Sequence, residues 1–243
     1  IGGAISDLGG RFFNISGVSF SNNKANKIKN ETGFGGAIFI ERVSQDDASS
    51  RIINNCTFSN NSAEVAGAIF ADENISNLKI TNSSFTGNNS LMEASTTSIG
   101  GGGALMFRRV INAEIASNNF SNNKALKSLG GASFLVETKD IKLSGNTFLE
   151  NASLLGGAVC LLENKNTTTL SGNTFTRNSV TTSSTFSDSG LGGAVVSVKD
   201  NSAKFSDNIF TGNNATRQGG AIHFETVTVN SVINNNTFNT NTA

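Results

Sequence analysis

The chain has 243 residues, with Lys plus Arg and Asp plus Glu both totalling 18, so its formal net charge is zero and only 15% of its residues are charged. Nucleic-acid binders gather basic residues on one face, and the longest basic run here is Arg108-Arg109, which argues against DNA or RNA as partners. No apolar run approaches the roughly 18 to 20 residues of a membrane-spanning helix, so this section is not expected to insert into a membrane. The opening IGGAISDLGG lacks the basic start and apolar core of a signal peptide, and any targeting segment is expected outside the chain.

There are 26 Gly and 18 Phe but no Pro, Trp or Tyr. Without Pro to pin its turns, the chain must make its corners with Gly and Asn. Cys56 and Cys160 lack the spacing of a CxxC redox or zinc motif, and a single His cannot complete a metal site with them. Both cysteines are read as packed, unpaired core residues, and neither a metal nor another cofactor is expected.

Two short motifs alternate along the whole chain. Gly-Gly-Ala followed by an aliphatic residue starts at Gly2, Gly35, Ala66, Gly102, Gly130, Gly156, Gly192 and Gly219. Ala66 replaces a first glycine and Ser133 replaces an aliphatic residue. Phe-x-x-Asn pairs Phe20 with Asn23, Phe58 with Asn61, Phe85 with Asn88, Phe120 with Asn123, Phe148 with Asn151, Phe175 with Asn178, Phe210 with Asn213 and Phe238 with Asn241. Each Phe follows the start of its glycine motif by 18 or 19 residues, except from Gly35 to Phe58, where the extra residues fall in the polar stretch 41–50, read as a bulged loop. An apolar column lies five residues before each Phe: Ile15, Ile53, Ile80, Ile115, Leu143, Leu170, Phe205 and Ile233. A second column, two residues before Phe, is Asn in the last five repeats, from Asn118 to Asn236, and Val18, Cys56 and Ser83 earlier.

A repeat of this length, with two or three short strands and no helical period, fits one coil of a parallel β-helix. The fold expected is all-β, a right-handed parallel β-helix of about eight coils, the hand following from the general crossover preference. A β-sandwich is the structural rival, but it does not require eight registered copies of one motif pair. Coils stack about 4.8 Å apart, so the Phe column becomes an interior ring stack and the Asn column an amide ladder. The glycine pairs Gly35-Gly36, Gly102-Gly103, Gly130-Gly131, Gly156-Gly157, Gly192-Gly193 and Gly219-Gly220 make tight corners, where positive φ costs little without a Cβ. Cys56 and Cys160, four coils apart, are too distant for a disulfide.

The alternating GGA[ILV] and FxxN tetrapeptides, in Asn- and Ser-rich surroundings, resemble the passenger domains of chlamydial polymorphic membrane proteins over essentially the whole chain. The resemblance implies an autotransporter: a secretion signal, a β-helical passenger displayed outside the cell, and a C-terminal outer-membrane barrel. Residues 1–243 would then be one β-helical domain, a section of a longer passenger at the bacterial cell surface, outer membrane or secreted. Its implied role is adhesion, with a host-cell surface protein or glycan as receptor.

Catalysis on a β-helix needs carboxylates and bases converging in one groove. The candidates after the GGA strands, Glu41, Asp72, Glu73, Glu137, Glu163 and Glu225, with Arg108 and Arg109 among them, read instead as strand-end solubilising charge, and no enzyme is expected. His223 stands in a column with Phe39, Phe70, Met106, Phe134, Cys160 and Val196. Both alternating sets of this strand are apolar, so period 2 leaves open which faces inward; an outward column would be a candidate contact surface. The long insertions 24–34, 89–101 and 179–191 leave the coil at one equivalent point and are the candidate binding loops, with Lys29, Glu31, Met92, Glu93, Thr182 and Asp188 as candidate contacts. Phe186 in the last of them is expected to be energetically minor, and trimming the loops to leave stability unchanged. The alternative function is a structural spacer or filament that self-associates through coil ends.

Overall fold

The computed structural model of the protein describes residues 2–10, 12–27, 32–41, 50–94, 100–226 and 230–243. Its strands form four parallel sheets, three of eight strands and one of six. We label them A to D in the order a coil meets them. The fourth coil is typical: Leu105–Arg108 in sheet A, Glu114–Ala116 in B, Asn119–Ser121 in C and Lys124–Leu129 in D. In every sheet the neighbours come from successive repeats. The fold is the expected parallel β-helix of about eight coils, but the first six coils each have a fourth strand. Sheet D lies in the segments after the motif Asn that the sequence suggested were turns and loops. Its strands are mostly two residues long, too short for a periodicity to register. The bulge expected over 41–50 falls on residues outside those described, apart from its two ends.

Strand character follows from how many faces are covered. Sheet B strands have one dry face and alternate: in Ile141–Ser144, Ile141 and Leu143 are buried while Lys142 is exposed. Sheet A strands read as unbroken apolar runs (IFI, LMF, VCL), because both their faces are covered. Positions one and three, such as Leu105 and Phe107, join the central core, whereas position two, the column of Phe39, Phe70, Met106, Phe134, Cys160 and Val196, enters a second apolar cluster on the outer side. That settles which face is inside.

The motif phenylalanines are paired in register from Phe20 with Phe58 to Phe210 with Phe238. Their rings stack nearly parallel, with centroids 4.6 to 5.0 Å apart, a spacing imposed by the strands beneath. Phe238 departs from the expectation of burial: it stacks on Phe210 at 5.0 Å but is 46% exposed, because no described coil lies over its other face.

At the glycine pairs the first residue has positive φ, for example 69° at Gly102 and 65° at Gly130; Ala66 adopts the same conformation at 57°. The second glycine serves a different need. A Cβ on Gly103 would run into the carbonyl of Gly131 in the next coil, and a Cβ on Gly131 into that of Gly157. Stacked backbones leave no room for a side chain there.

Two complete amide ladders bind the coils. The expected one runs Asn118, Asn146, Asn173, Asn208, Asn236, and it continues through its small substitutes: Ser83 N–H donates to Asn118 Oδ1 and Cys56 N–H to Ser83 Oγ. The other is made by the motif Asn residues themselves, from Asn23 to Asn241. A shorter ladder joins Thr138, Asn164 and Asp200. Both cysteines are buried and free.

Two residues break these patterns and carry predictions. Ser133 occupies an inward sheet A position between Leu105 and Val159, and its hydroxyl is buried with no hydrogen-bond partner. Ser133→Val restores the column's chemistry and should raise stability by about 1–2 kcal/mol, since an unpaired buried hydroxyl is costly. A lower denaturation midpoint would contradict this. Among the described residues Asp200 is the one carboxylate in an amide ladder. Burial pushes it from an ordinary 3.8 up to about 6, although hydrogen bonds from Ser197 and Asn164 pull the other way. Folding therefore favours the protonated acid; that contribution is complete below about pH 3.8 and lost as pH rises through about 6. Asp200→Asn should leave stability near pH 4 little changed and raise it at pH 8, by at most on the order of 3 kcal/mol. Chemical denaturation of both proteins at the two pH values checks it, and a gain of equal size at both would contradict the assignment.

Candidate functional site

After sheet D the chain crosses the outer face of sheet A before entering the next glycine corner. The residue before each corner re-enters register across coils: Phe34 bridges Val65, Gly101 bridges Leu129, and Leu155 bridges Leu191. Phe34, Val65, Leu129, Leu155 and Leu191 form the lid of the second apolar cluster, over Phe70, Met106, Phe134 and Cys160. The stripe that could have been a contact surface is therefore sealed by the protein's own chain. The phenyl ring of Phe34 lies 5.6 Å from that of Phe39 and 5.1 Å from that of Phe70. His223 ends the column beside Val196; it is half-buried, and burial lowers its pKa.

The long insertions share in this cover, which corrects part of the sequence reading. Gly101 has no side chain to contribute, and Met92 from the same loop packs on the cluster, lying against Gly100. Met92 is thus a half-buried anchor and not a free contact. Phe186 likewise packs on the cluster, so it is not energetically minor. The 179–191 loop is pinned further: Arg217 Nη1 donates to the Ser187 carbonyl at 2.6 Å, Ser183 N–H to Ser189 Oγ at 2.7 Å, and Gly190 N–H to the Leu154 carbonyl at 2.7 Å. Trimming this loop removes apolar cover, so the expected neutrality of the deletion does not hold. The signal for the lid was the apolar residue before five of the glycine corners, Phe34, Val65, Leu129, Leu155 and Leu191, outside both motifs.

Of the remaining candidate contacts, Glu93, Thr182 and Asp188 are exposed. Lys29 and Glu31 lie outside the described residues. Loops of the third and sixth repeats meet along one edge, where Glu93, Leu126, Lys127, Leu154 and residues 181–185 line a groove of about 270 Å³. Glu93 and Lys127 pair across it at 3.8 Å, both well exposed, so the pair adds little stability. Leu126 is 50% exposed and supplies an apolar wall. Asp188 accepts from Ser187 Oγ at 3.1 Å and does not line this groove. The arrangement offers one ion pair, several hydroxyls and an apolar wall.

The charged stripe is better organised than solubilising charge. Asp72 is buried and receives a two-pronged contact from Arg108, with Nε at 2.7 Å from Oδ1 and Nη2 on Oδ2. Arg109 contacts Glu73 and approaches Asp72 at 3.7 Å and Glu137 at 4.0 Å. Lys199 pairs with Glu163 at 3.5 Å. These carboxylates are engaged in tying coils together. Among the described residues no three His, Cys, Asp or Glu side chains gather closely enough to hold a metal ion.

The model of the Chlamydia polymorphic membrane protein repeat family matches residues 17–41, 55–72 and 209–225. Each matched stretch runs from a Phe-x-x-Asn strand of sheet C through the loop edge into the next glycine corner and sheet A strand. The first two stretches include Phe34, Phe39, Val65, Ala66 and Phe70 of the second cluster, and the third includes none of its residues. No curated protein and no solved structure matches the chain.

Proposed function

We propose that this chain, a solenoid built on the Chlamydia polymorphic membrane protein repeat, is a section of a surface-displayed adhesin that contacts a host-cell receptor through its loop edge. The observation that carries the reading is the convergence of the third- and sixth-repeat loops on one groove. Loops on a rigid scaffold are where recognition residues concentrate, and short connections such as 62–66 already join coils without such insertions. The receptor is a protein or glycan at the host-cell surface, and the chain would be displayed at the outer membrane or beyond it. Binding of the fluorescently labelled chain to host cells tests this. Glu93→Ala, Thr182→Ala and Asp188→Ala together should lower binding several-fold while the melting transition stays put. If the triple variant binds as well as the parent, the loop edge is not the contact surface.

A second reading has its own support. The uninterrupted ladders and ring stack couple each coil to the next, which suits a stiff spacer that holds another domain away from the cell. Absence of any saturable host-cell binding by the intact chain would favour it.

A further inference from the structure

We propose that the corner between sheets B and C is a docking face for an extended, uncharged glycan running along the coil axis, separate from the loop edge and independent of its role. Sheet C strands are three residues long with the phenylalanine turned inward, so the residues on either side of it both point outward. Two ranks result, in register from coil to coil. One holds Ser19, Thr57, Ser84, Asn119, Thr147 and Thr174; the other holds Ser21, Ser59, Thr86, Ser121 and Thr176, with Leu149 as its exception. Beside the first rank the chain turns on Asn55, Asn82 and Ser117, with φ of 52°, 50° and 55°, and on Gly145. Between that corner and the rank lies an open groove of about 420 Å³ that crosses four coils, from Thr57 to Thr147.

The chemistry of this face selects its occupant. Across the first six coils neither rank nor the corner holds a charged residue. Of the charges that flank it, Lys79 pairs with Glu114 at 3.3 Å and Arg177 with Glu150 at 2.8 Å, while Lys142 stands exposed beside Glu114 in the sheet B column. Within the two ranks and the corner a polyanion or a basic peptide would lose hydration and meet no countercharge. Aromatic side chains are absent from the face, since the phenylalanines of sheet C are turned inward, so an apolar segment finds nothing to cover. What the face does present is hydroxyls and amides, each able to donate and accept. The hydroxyls of Thr57, Ser84, Thr147 and Thr174 make no hydrogen bond among the described residues. Thr86 Oγ1 and Ser121 Oγ lie 3.0 Å apart in adjacent coils, so one ligand hydroxyl can reach two coils at once. A neutral sugar chain has the complementary set of hydroxyls and, like the protein, repeats its unit along its length. With coils about 4.8 Å apart, a chain laid parallel to the axis meets equivalent partners at each step. Each contact is weak and partly water-mediated, so affinity should grow with the number of coils engaged.

Native gel electrophoresis of the intact chain through gels containing dextran, laminarin, xylan or galactomannan, with heparin as the charged comparator, tests the proposal. At least one neutral polymer should retard the chain, longer fractions should do so more strongly, and heparin should not. Thr57→Asp with Thr147→Asp places charge on exposed positions and should weaken that retardation at least ten-fold with an unchanged melting curve, whereas Thr182→Ala on the loop edge should not alter it. The proposal is overturned if no neutral polymer retards the chain, if heparin retards it as strongly as the best neutral polymer, or if the folded Asp double variant is retarded like the parent.

Discussion

Asn151→Ala is expected to destabilise the solenoid by about 4–6 kcal/mol, the largest effect of any single truncation away from the glycine corners, because each buried polar group left unpaired costs about 1–3 kcal/mol. Asn151 is fully buried. Its Oδ1 accepts from both the N–H and the Nδ2 of Asn123 at 3.0 Å, and its Nδ2 donates to the Phe120 carbonyl and to Asn178 Oδ1, each at 3.0 Å. All the amide's hydrogen-bonding capacity is thus used inside the protein. Alanine orphans the Asn123 N–H and one Asn123 amide hydrogen at once, and water has no access to replace the partner. Asn151→Ser should recover part of the loss. A serine oxygen already serves as a rung in the other ladder, where Ser83 Oγ accepts from the Cys56 N–H at 3.0 Å. Urea denaturation of the three proteins provides the measurement. A loss below about 1 kcal/mol for the alanine variant, the usual net worth of one ordinary hydrogen bond, would mean that the ladder is decoration.

The coil was legible in the sequence because its determinants recur at fixed offsets. Stacked strands force equivalent residues over one another, so the Phe column, the glycine corners and the Asn column all survive as periodic signals. The offsets also carried register: Phe120 pairs with Phe85 and Phe148, as equal spacing from the glycine pairs requires. The motif Asn was recognised as structural, but its ladder was not, since the same letters serve equally well in a solvent-exposed turn. Less was legible outside the fixed segment. Sheet D strands are too short for a period, and the lid of the second cluster comes from residues of varied type, Phe34, Val65, Leu129, Leu155 and Leu191, in a column directly before the glycine corners that Gly101 and Gln218 interrupt. Sheet A gave an ambiguous pattern for a physical reason, being dry on both faces. The candidate contacts suffered most: Met92 and Phe186 look like loop residues in the sequence, and only packing shows that they are anchors. The pairing of Asp72 with Arg108 spans 36 residues and follows from coil register alone, so it could have been deduced once the register was fixed.

Phe148→Ala should cost about 3–5 kcal/mol, as other buried phenylalanine truncations do, and Phe186→Ala about 1–2 kcal/mol, since only part of its ring is buried. Phe148 is fully buried between the rings of Phe120 and Phe175, with centroids at 4.9 and 4.7 Å. The strands above and below are held at a fixed spacing by their own hydrogen bonds, so the walls cannot collapse into the space, and the cavity term applies in full. Phe186 sits on a loop that can resettle over the second cluster, which limits its loss. The position of Phe148 adds a second observable. In a solenoid each coil contacts only its neighbours, and stability is close to a sum of coil and interface terms. A cavity in the fifth coil weakens both of its interfaces, so the coils on either side of it should begin to unfold separately. Denaturation of Phe148→Ala is therefore expected to show a smaller dependence on urea concentration than the parent, or two resolved steps. Phe186→Ala should keep a single transition of parental steepness. Equal midpoint shifts for the two variants would remove the basis for placing Phe148 in the core and Phe186 at its edge.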